Sequence, residues 1–406
     1  MAEKILIISP VQIIPGHSGN KMRIRKICSA LMDLGYELDF YCTEFTNKID
    51  TGHASFFNGN VFETDIESFQ VDKSLKLRSR EIWNGLKIKK EKVKRLFFDG
   101  LDSARYNQSI FNFQNIKKIE LLKKQISGRT YKAVIVNYTV FSFYFDLFGK
   151  ETTKILDIHD RLSDRFRMYI DQGKKPVAWY SLRPDDDKRA IKKADIIWAI
   201  TDKERDYYGK LTSHPYVLTL RHLEEFFAIP ASVNTRTILM IGSDNKLNLD
   251  GLEWFLTSVW PGVMEKVNEA KLVVAGSICN RKEGFGGKNV DFFGSYQNDE
   301  EIYSKAGICI NPMQTGTGLK IKTLEALARG KVVVSTTAGA SGLTDLAGHG
   351  LIYNDNPQRW IKELCSLLLS QDKINQAKQG LKEAISDIYN QNLSVIKESI
   401  NHNLKL

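Results

Sequence analysis

The chain has 406 residues, enough for two or three domains, and its 42% apolar content places it among globular proteins rather than disordered or fibrous ones. Its formal net charge of +10 is concentrated, because 17 Lys/Arg face only 5 Asp/Glu between Lys73 and Lys132 and leave the remainder close to neutral. No apolar run approaches the ~18 residues of a membrane span, no leader pattern precedes the first strand, and five scattered cysteines lack ligand spacing, so a cytoplasmic protein with reduced core thiols is expected.

Residues 5–10 (ILIISP) read as a buried strand, followed by a loop with Gly16 and Gly19 and a helix over 20–34 that Gly35 ends. Residues 36–42 supply the next strand, which makes a βαβ unit and predicts a parallel sheet. The loop after a first parallel strand is where doubly wound folds hold ligands, so Gly16 and Gly19 are candidate binding positions, although the dinucleotide fingerprint is absent. Residues 83–98 (WNGLKIKKEKVKRLFF) interleave apolar side chains with six basic ones. Such a stretch suits an anionic membrane surface, with each Lys or Arg contributing about 1 kcal/mol, or a helix packed on its domain with solvated lysines. Nucleic acid is a poorer fit, since neither a stacking pattern nor a recognition motif is present.

Strands resume at 131–137, 154–158 and 195–200. After the second come His159, Asp160 and Arg161, polar groups at a strand end that suit sugar hydroxyls or proton transfer, or else a helix cap. The run Arg183 to Asp187 (RPDDD) reads as a helix start, because proline followed by acids suits a first turn. A strand at 216–220 and a linker at 226–236 lead into a second α/β series. Strands are expected at 238–242, 271–276, 289–294, 307–312 and 331–335, with a helix over 250–267 that contains Pro261. Between the last two strands, Thr315-Gly316-Thr317-Gly318 forms a small-residue turn before an amphipathic helix that Gly330 stops. Such a turn lets a ligand approach the backbone and the helix N-terminus, and phosphate is the usual guest. Lys320 and Lys322 stand in the first turn, where each costs about 0.3–1 kcal/mol unless an anion binds. Either an anion binds between them and the helix end, or this is a surface helix whose lysines, Lys322 among them, are solvated. The chain is thus α/β, with parallel-sheet domains at 1–225 and 237–375 and C-terminal helices at 376–406 packing back on the first. Two such domains face to face would enclose a crevice for a large two-part substrate.

The run GTGLKIKTLEALARGKVVVSTTAGASGL, residues 316–343, resembles the nucleotide-sugar signature of retaining glycosyltransferases of family 4. Residues 238–242 with Asn248, Gly251 and Leu252, and Gly294 in DFFG, resemble its companion motifs; Gly16 to Asn20 with Arg23 and Arg25 resembles the first-domain glycine loop, and His159-Asp160 its strand-end histidine. The resemblance implies the GT-B fold, two Rossmann-like domains across a central crevice. It also implies transfer of a sugar from a nucleotide-sugar donor to a glycan or lipid-linked acceptor, with retention and without a metal or other cofactor, in cell-surface polysaccharide synthesis at the inner face of the membrane. Glu325 matches the second glutamate of the family's pair, which holds the ribose. Thr317 stands where the first is usual, a form found in a Gly-Thr-Gly-Leu-Lys subset. Lys320 would face the diphosphate, with Gly316, Gly318, Leu319, Ser243 and Lys246 around the donor. His159 would orient it, and Asp160, Arg161 and Arg23 would lie toward the acceptor. A nucleotide-sugar 2-epimerase or a non-catalytic binding subunit are the alternatives on the same architecture.

Overall fold

A computed structural model of the chain describes residues 2–14, 18–43, 51–62, 64, 75–98, 105–170, 180–231, 236–316 and 318–401. They form two units, Met1–Arg221 with Asn392–Leu406, and His222–Gln391.

The first unit is built on a seven-stranded sheet: β1 (Lys4–Ser9), β2 (Glu37–Cys42), β3 (Val61–Phe62), β4 (Ala133–Asn137), β5 (Thr153–Ile158), β6 (Ile196–Ala199) and β7 (Val217–Thr219). Their spatial order is β3-β2-β1-β4-β5-β6-β7, every pairing parallel. Ile5, Leu6, Ile7 and Ile8 are all buried, as a strand covered on both faces requires. Leu6, Ile8, Val134, Val136, Leu156 and Ile197 share one core with Phe143, Tyr144 and Tyr208 from the covering segments. The helix Gly19–Asp33 follows β1 and buries Ile24, Ile27 and Leu31 at helical spacing. Gly35, at φ 89°, lets the chain turn back toward β2.

The second unit has six parallel strands: β8 (Thr237–Ile241), β9 (Lys271–Ala275), β10 (Val290–Gly294), β11 (Ile308–Asn311), β12 (Val332–Ser335) and β13 (Leu351–Tyr353), ordered β10-β9-β8-β11-β12-β13. Each sheet therefore reverses its winding beside its own first strand, between β1 and β4 in one and between β8 and β11 in the other. That reversal is where the loops at the carboxyl ends of the strands splay apart and admit a ligand.

Three expectations change. The helix read over 250–267 is two, Lys246–Ser258 and Trp260–Lys266, because Pro261 lacks the N–H of a helix interior and instead occupies the first turn of the second. The stretch read as a linker is docked as far as residue 231: Phe227 N–H donates to Ala328 O at 2.8 Å, Ile229 N–H to Arg329 O at 3.1 Å, and the buried Lys331 ammonium to Ile229 O at 2.6 Å. Finally, the unit boundary falls after Arg221, and the last segment rejoins the first unit only from Asn392. It is held there by Trp198 Nε1–H on Ser399 Oγ at 2.9 Å and by Arg221 N–H on Asn392 Oδ1 at 2.9 Å. All five cysteines are free and buried, as expected for core thiols.

Candidate functional site

In the second unit the chain leaves β11 through Pro312 and enters the turn that precedes the helix Ile321–Ala328. Gly316 has φ 139° and Gly318 φ 73°, values that side-chain-bearing residues rarely adopt. A Cβ on Gly316 would lie 2.9 Å from Lys320 Nζ, so the ammonium lies close over the turn's backbone. The segment after β12 holds this turn: Asn311 Nδ2–H donates to Thr323 Oγ1 at 2.8 Å and Gly339 O at 3.1 Å, and Thr336 Oγ–H donates to Met313 O. A Cβ on Gly251 would meet Pro312 O at 2.8 Å, so only glycine lets the helix after β8 approach this loop so closely. The topology alone puts the β8 and β11 loops side by side.

Lys320 is the N-cap residue of the helix and is buried, while Leu319 packs behind it. Its own N–H bonds to Ser341 O at 3.3 Å, and Ile321 N–H bonds to Leu319 O at 3.1 Å. Those amides are engaged, so recognition of an anion here falls more on ammonium groups than on the backbone. Lys322, read from the sequence as solvated, is not: its ammonium donates to Asn248 Oδ1. Burial, reinforced by the neighbouring Lys320, pushes its pKa down to about 7. Asn248 is itself fixed by Nδ2–H bonds to Ser243 O at 2.9 Å and Ser243 Oγ at 3.0 Å. Lys246 lies outside this group, largely exposed and paired with Asp250 at 2.8 Å. Gly294 closes β10 at φ 90°. Thr317 and Gly16 lie outside the described residues.

Glu325 follows one turn into the helix. It has neighbours that no sequence pattern disclosed: His222, Glu224 and Glu325 each bring one ligand-type atom within 4.8 Å of one another. Glu224 is buried and paired with Arg329 at 2.8 Å, and Arg329 also meets Asp299 at 2.6 Å. This is the described cluster with the donor chemistry to hold a cation, although a guanidinium already neutralises one of its carboxylates. The signal available in advance was a histidine two residues before a glutamate ahead of an apolar run, which is common in loops.

In the first unit the polar groups gather at the carboxyl ends of β4 and β5. Arg23 was expected on the acceptor side, but its guanidinium is fully buried and grips Asp157 through Nη2 at 2.6 Å and Nε at 3.2 Å. It sets the floor of the site rather than meeting an acceptor. Asn137 Nδ2–H donates to the other Asp157 oxygen at 3.0 Å, and His159 Nε2 lies 3.0 Å from that oxygen. Burial would raise the Asp157 pKa, but Arg23 and His159 outweigh it and hold the carboxyl well below its usual range. His159 stacks on Tyr138, with centroids 4.4 Å apart, and Tyr138 accepts a bond from Asn20 Nδ2–H at 3.1 Å. Tyr138 has φ 68°, an uncommon backbone state for an aromatic residue. Gly19 starts the helix that carries Asn20 and Arg23. Asp160 and Arg161 remain partly exposed, the former 3.6 Å from Arg165 and the latter over the Tyr207 ring. Glu204, unremarked in the sequence, is buried, and desolvation together with Asp160 raises its pKa to about 7.

Comparison with solved structures defines the fold. The chain is similar along almost its whole length to sucrose-phosphate synthase from Thermosynechococcus elongatus (TM-score 0.64, 14% identity, 99% of this chain and 98% of that one). It is likewise similar to S. aureus TarM crystallised with fondaparinux, alpha-GlcNAc-glycerol and UDP (0.67, 14%, 98% and 100%) and to Anabaena Alr3699/HepE with UDP and glucose (0.63, 10%, 98% and 100%). These likenesses establish the two-unit α/β fold of GT-B glycosyltransferases. Within it, residues 235–370 match the family described as Glycosyl transferases group 1. A curated relative, an uncharacterized 44.6 kDa protein in the cps region of Klebsiella pneumoniae, is 31% identical over 151 residues, which span 34% of this chain and only 36% of that protein.

Proposed function

We propose that this protein is a retaining glycosyltransferase of the family 4 type, moving a sugar from a nucleotide-sugar donor to a hydroxyl of a glycan or lipid-linked acceptor. The observation that carries the reading is the pair Lys320 and Lys322 at a glycine-shaped turn beside the β8–β11 reversal. Burial and, to a smaller extent, the neighbouring Lys320 disfavour the charge on Lys322, and an anion bound beside the pair offsets that cost. A nucleoside diphosphate is that anion. The glycosyl C1–O bond to the diphosphate breaks, the acceptor oxygen bonds to C1 on the same face, and the acceptor's proton passes to the departing phosphate. Negative charge grows on the leaving group as this happens, and Lys320 stabilises it without a metal ion. Glu325 accepts hydrogen bonds from the ribose. His159, held by Asp157 and Tyr138, orients the transferred sugar. Thr317 stands in place of the family's first glutamate, so a hydroxyl or a backbone group in place of a carboxylate would meet the sugar.

The location of the curated relative in a cps region fits a role in surface-polysaccharide synthesis at the inner face of the membrane. Among the described residues no helix is long and apolar enough to cross a bilayer. The test is release of nucleoside diphosphate across a panel of nucleotide sugars, with and without glycan acceptors and with a chelator present. Acceptor-dependent release that survives chelation is the expected result. Inversion at C2 of the donor without transfer, followed by NMR, would replace this reading with the epimerase.

A further inference from the structure

The helix Leu75–Phe98 is turned inside out relative to a normal surface helix. Its inward seam is Asn84, Gly85, Ile88 and Glu91, with Glu91 buried. Polar contacts fasten it to the segment after it: Asn84 Nδ2–H on Gln114 O at 3.3 Å, Arg80 paired with Glu120, and the Lys87 ammonium 5.2 Å from the Phe111 ring centre. Among the described side chains, four apolar ones face out. Ile82 is 63% exposed, Trp83 65%, Leu86 53% and Val93 51%. At helical spacing they share one arc of about 100°, the width of an ordinary buried face. Exposed Arg78 and Lys89 flank that arc on one side and exposed Lys90 lies within it beside Trp83, while Glu81 and Glu91 point away from it.

We infer that this stripe is a docking surface for an anionic lipid bilayer, with Trp83 and Leu86 entering the headgroup–acyl boundary and the flanking basic residues meeting lipid phosphates. It makes specific the membrane location in the proposed function, but it rests on none of the donor chemistry. An exposed apolar patch of this kind marks an interaction site, and its charge selects the occupant. The helix carries nine Lys/Arg against two Asp/Glu, so a second copy laid on it would oppose like charges, whereas anionic lipid complements them. An aromatic and aliphatic face with basic residues in and beside it, in a helix with low net hydrophobicity, is the pattern of a segment lying in the interface plane.

The experiment is flotation of the full chain with phosphatidylcholine vesicles containing about 30% phosphatidylglycerol, compared with pure phosphatidylcholine, at low and at physiological salt. Binding only to the anionic vesicles, weakened by salt, is expected. Trp83→Ser with Leu86→Ser should lower partitioning about tenfold or more, with little change in unfolding temperature because both side chains are more than half exposed. Lys89→Glu with Lys90→Glu should give a loss of similar size at low salt. Absence of binding at low salt, or binding by both variants as strong as the parent's, overturns the inference. So does a dimer seen by sedimentation that Trp83→Ser disperses, since the stripe then joins two copies. Nucleoside-diphosphate binding on the same samples keeps failure of the glycosyltransferase reading distinct from failure of this one.

Discussion

The two units repeat one topology, yet the reversal points of their sheets carry opposite electrostatics. In the first, a buried carboxylate is saturated: Asp157 meets Arg23, Asn137 and His159 within 3.2 Å, and the result is a stiff floor that fixes an imidazole. In the second, a half-buried lysine is answered by an amide, and its neighbour is another lysine. A buried carboxylate held by several donors maintains a shape, whereas two neighbouring ammonium groups gain free energy when a ligand of opposite charge arrives. The comparison fits the proposed roles, scaffolding for one site and anion capture for the other.

Four substitutions test that division, the largest effect first. Asp157→Ala leaves Arg23 buried without its carboxylate and should cost about 3–5 kcal/mol of stability in urea unfolding. A loss below about 1 kcal/mol would mean that the cluster is not the rigid floor described. Lys320→Ala should lower kcat about a hundredfold or more while nucleoside-diphosphate affinity falls less, because the charge it meets grows toward the transition state. Unchanged turnover with an unchanged dissociation constant removes it from the site. Glu325→Ala should weaken donor binding by about 1.5–3 kcal/mol, through loss of charge-assisted bonds to ribose, as read by calorimetry. An undiminished affinity would leave Glu325 to its neighbours Glu224 and His222 instead.

Lys322→Met has the smallest effect and the sharpest signature. In the free protein Lys322 loses its charge as pH rises through about 7. A diphosphate raises that pKa, so binding takes up a proton and affinity declines as pH climbs from about 7. Calorimetry in buffers of different ionisation enthalpy should register this proton in the parent and not in the variant. Folding carries the same linkage with a defined sign. The unfolded lysine stays protonated to a higher pH than the folded one, so stability due to this group is lowest below about 7 and rises above it. A parent whose binding takes up no proton would place the anion away from Lys322.

Much of this was legible from residue order. Apolar runs of strand length alternating with helical spacing announced two parallel sheets, and the glycine-rich turn before Lys320 marked the candidate anion site that the proposed function uses. What escaped depended on partners distant in the chain. Lys322 was read as solvated because nothing local reveals Asn248, 74 residues earlier, as its acceptor. Arg23 was assigned to an acceptor because its ion pair with Asp157 spans 134 residues. His222 and Glu224 had no motif of their own, and their closeness to Glu325 exists only once residues 227–231 dock along the helix end and the strand after it.

The outward stripe at Trp83 divides the credit most clearly. Composition alone determined that this stretch is basic, apolar and helical, because those properties follow from side-chain identity and periodicity. Periodicity also defines two faces, but it cannot say which one the protein keeps. Tertiary structure decided that: Asn84, Arg80 and Lys87 find partners on the adjoining segment, and the apolar face is left to the solvent. The physical reason runs through the whole chain. Local sequence sets backbone preference and the pattern of apolar faces, whereas the charge state and partners of buried groups are set by what the fold brings within a few ångströms of them.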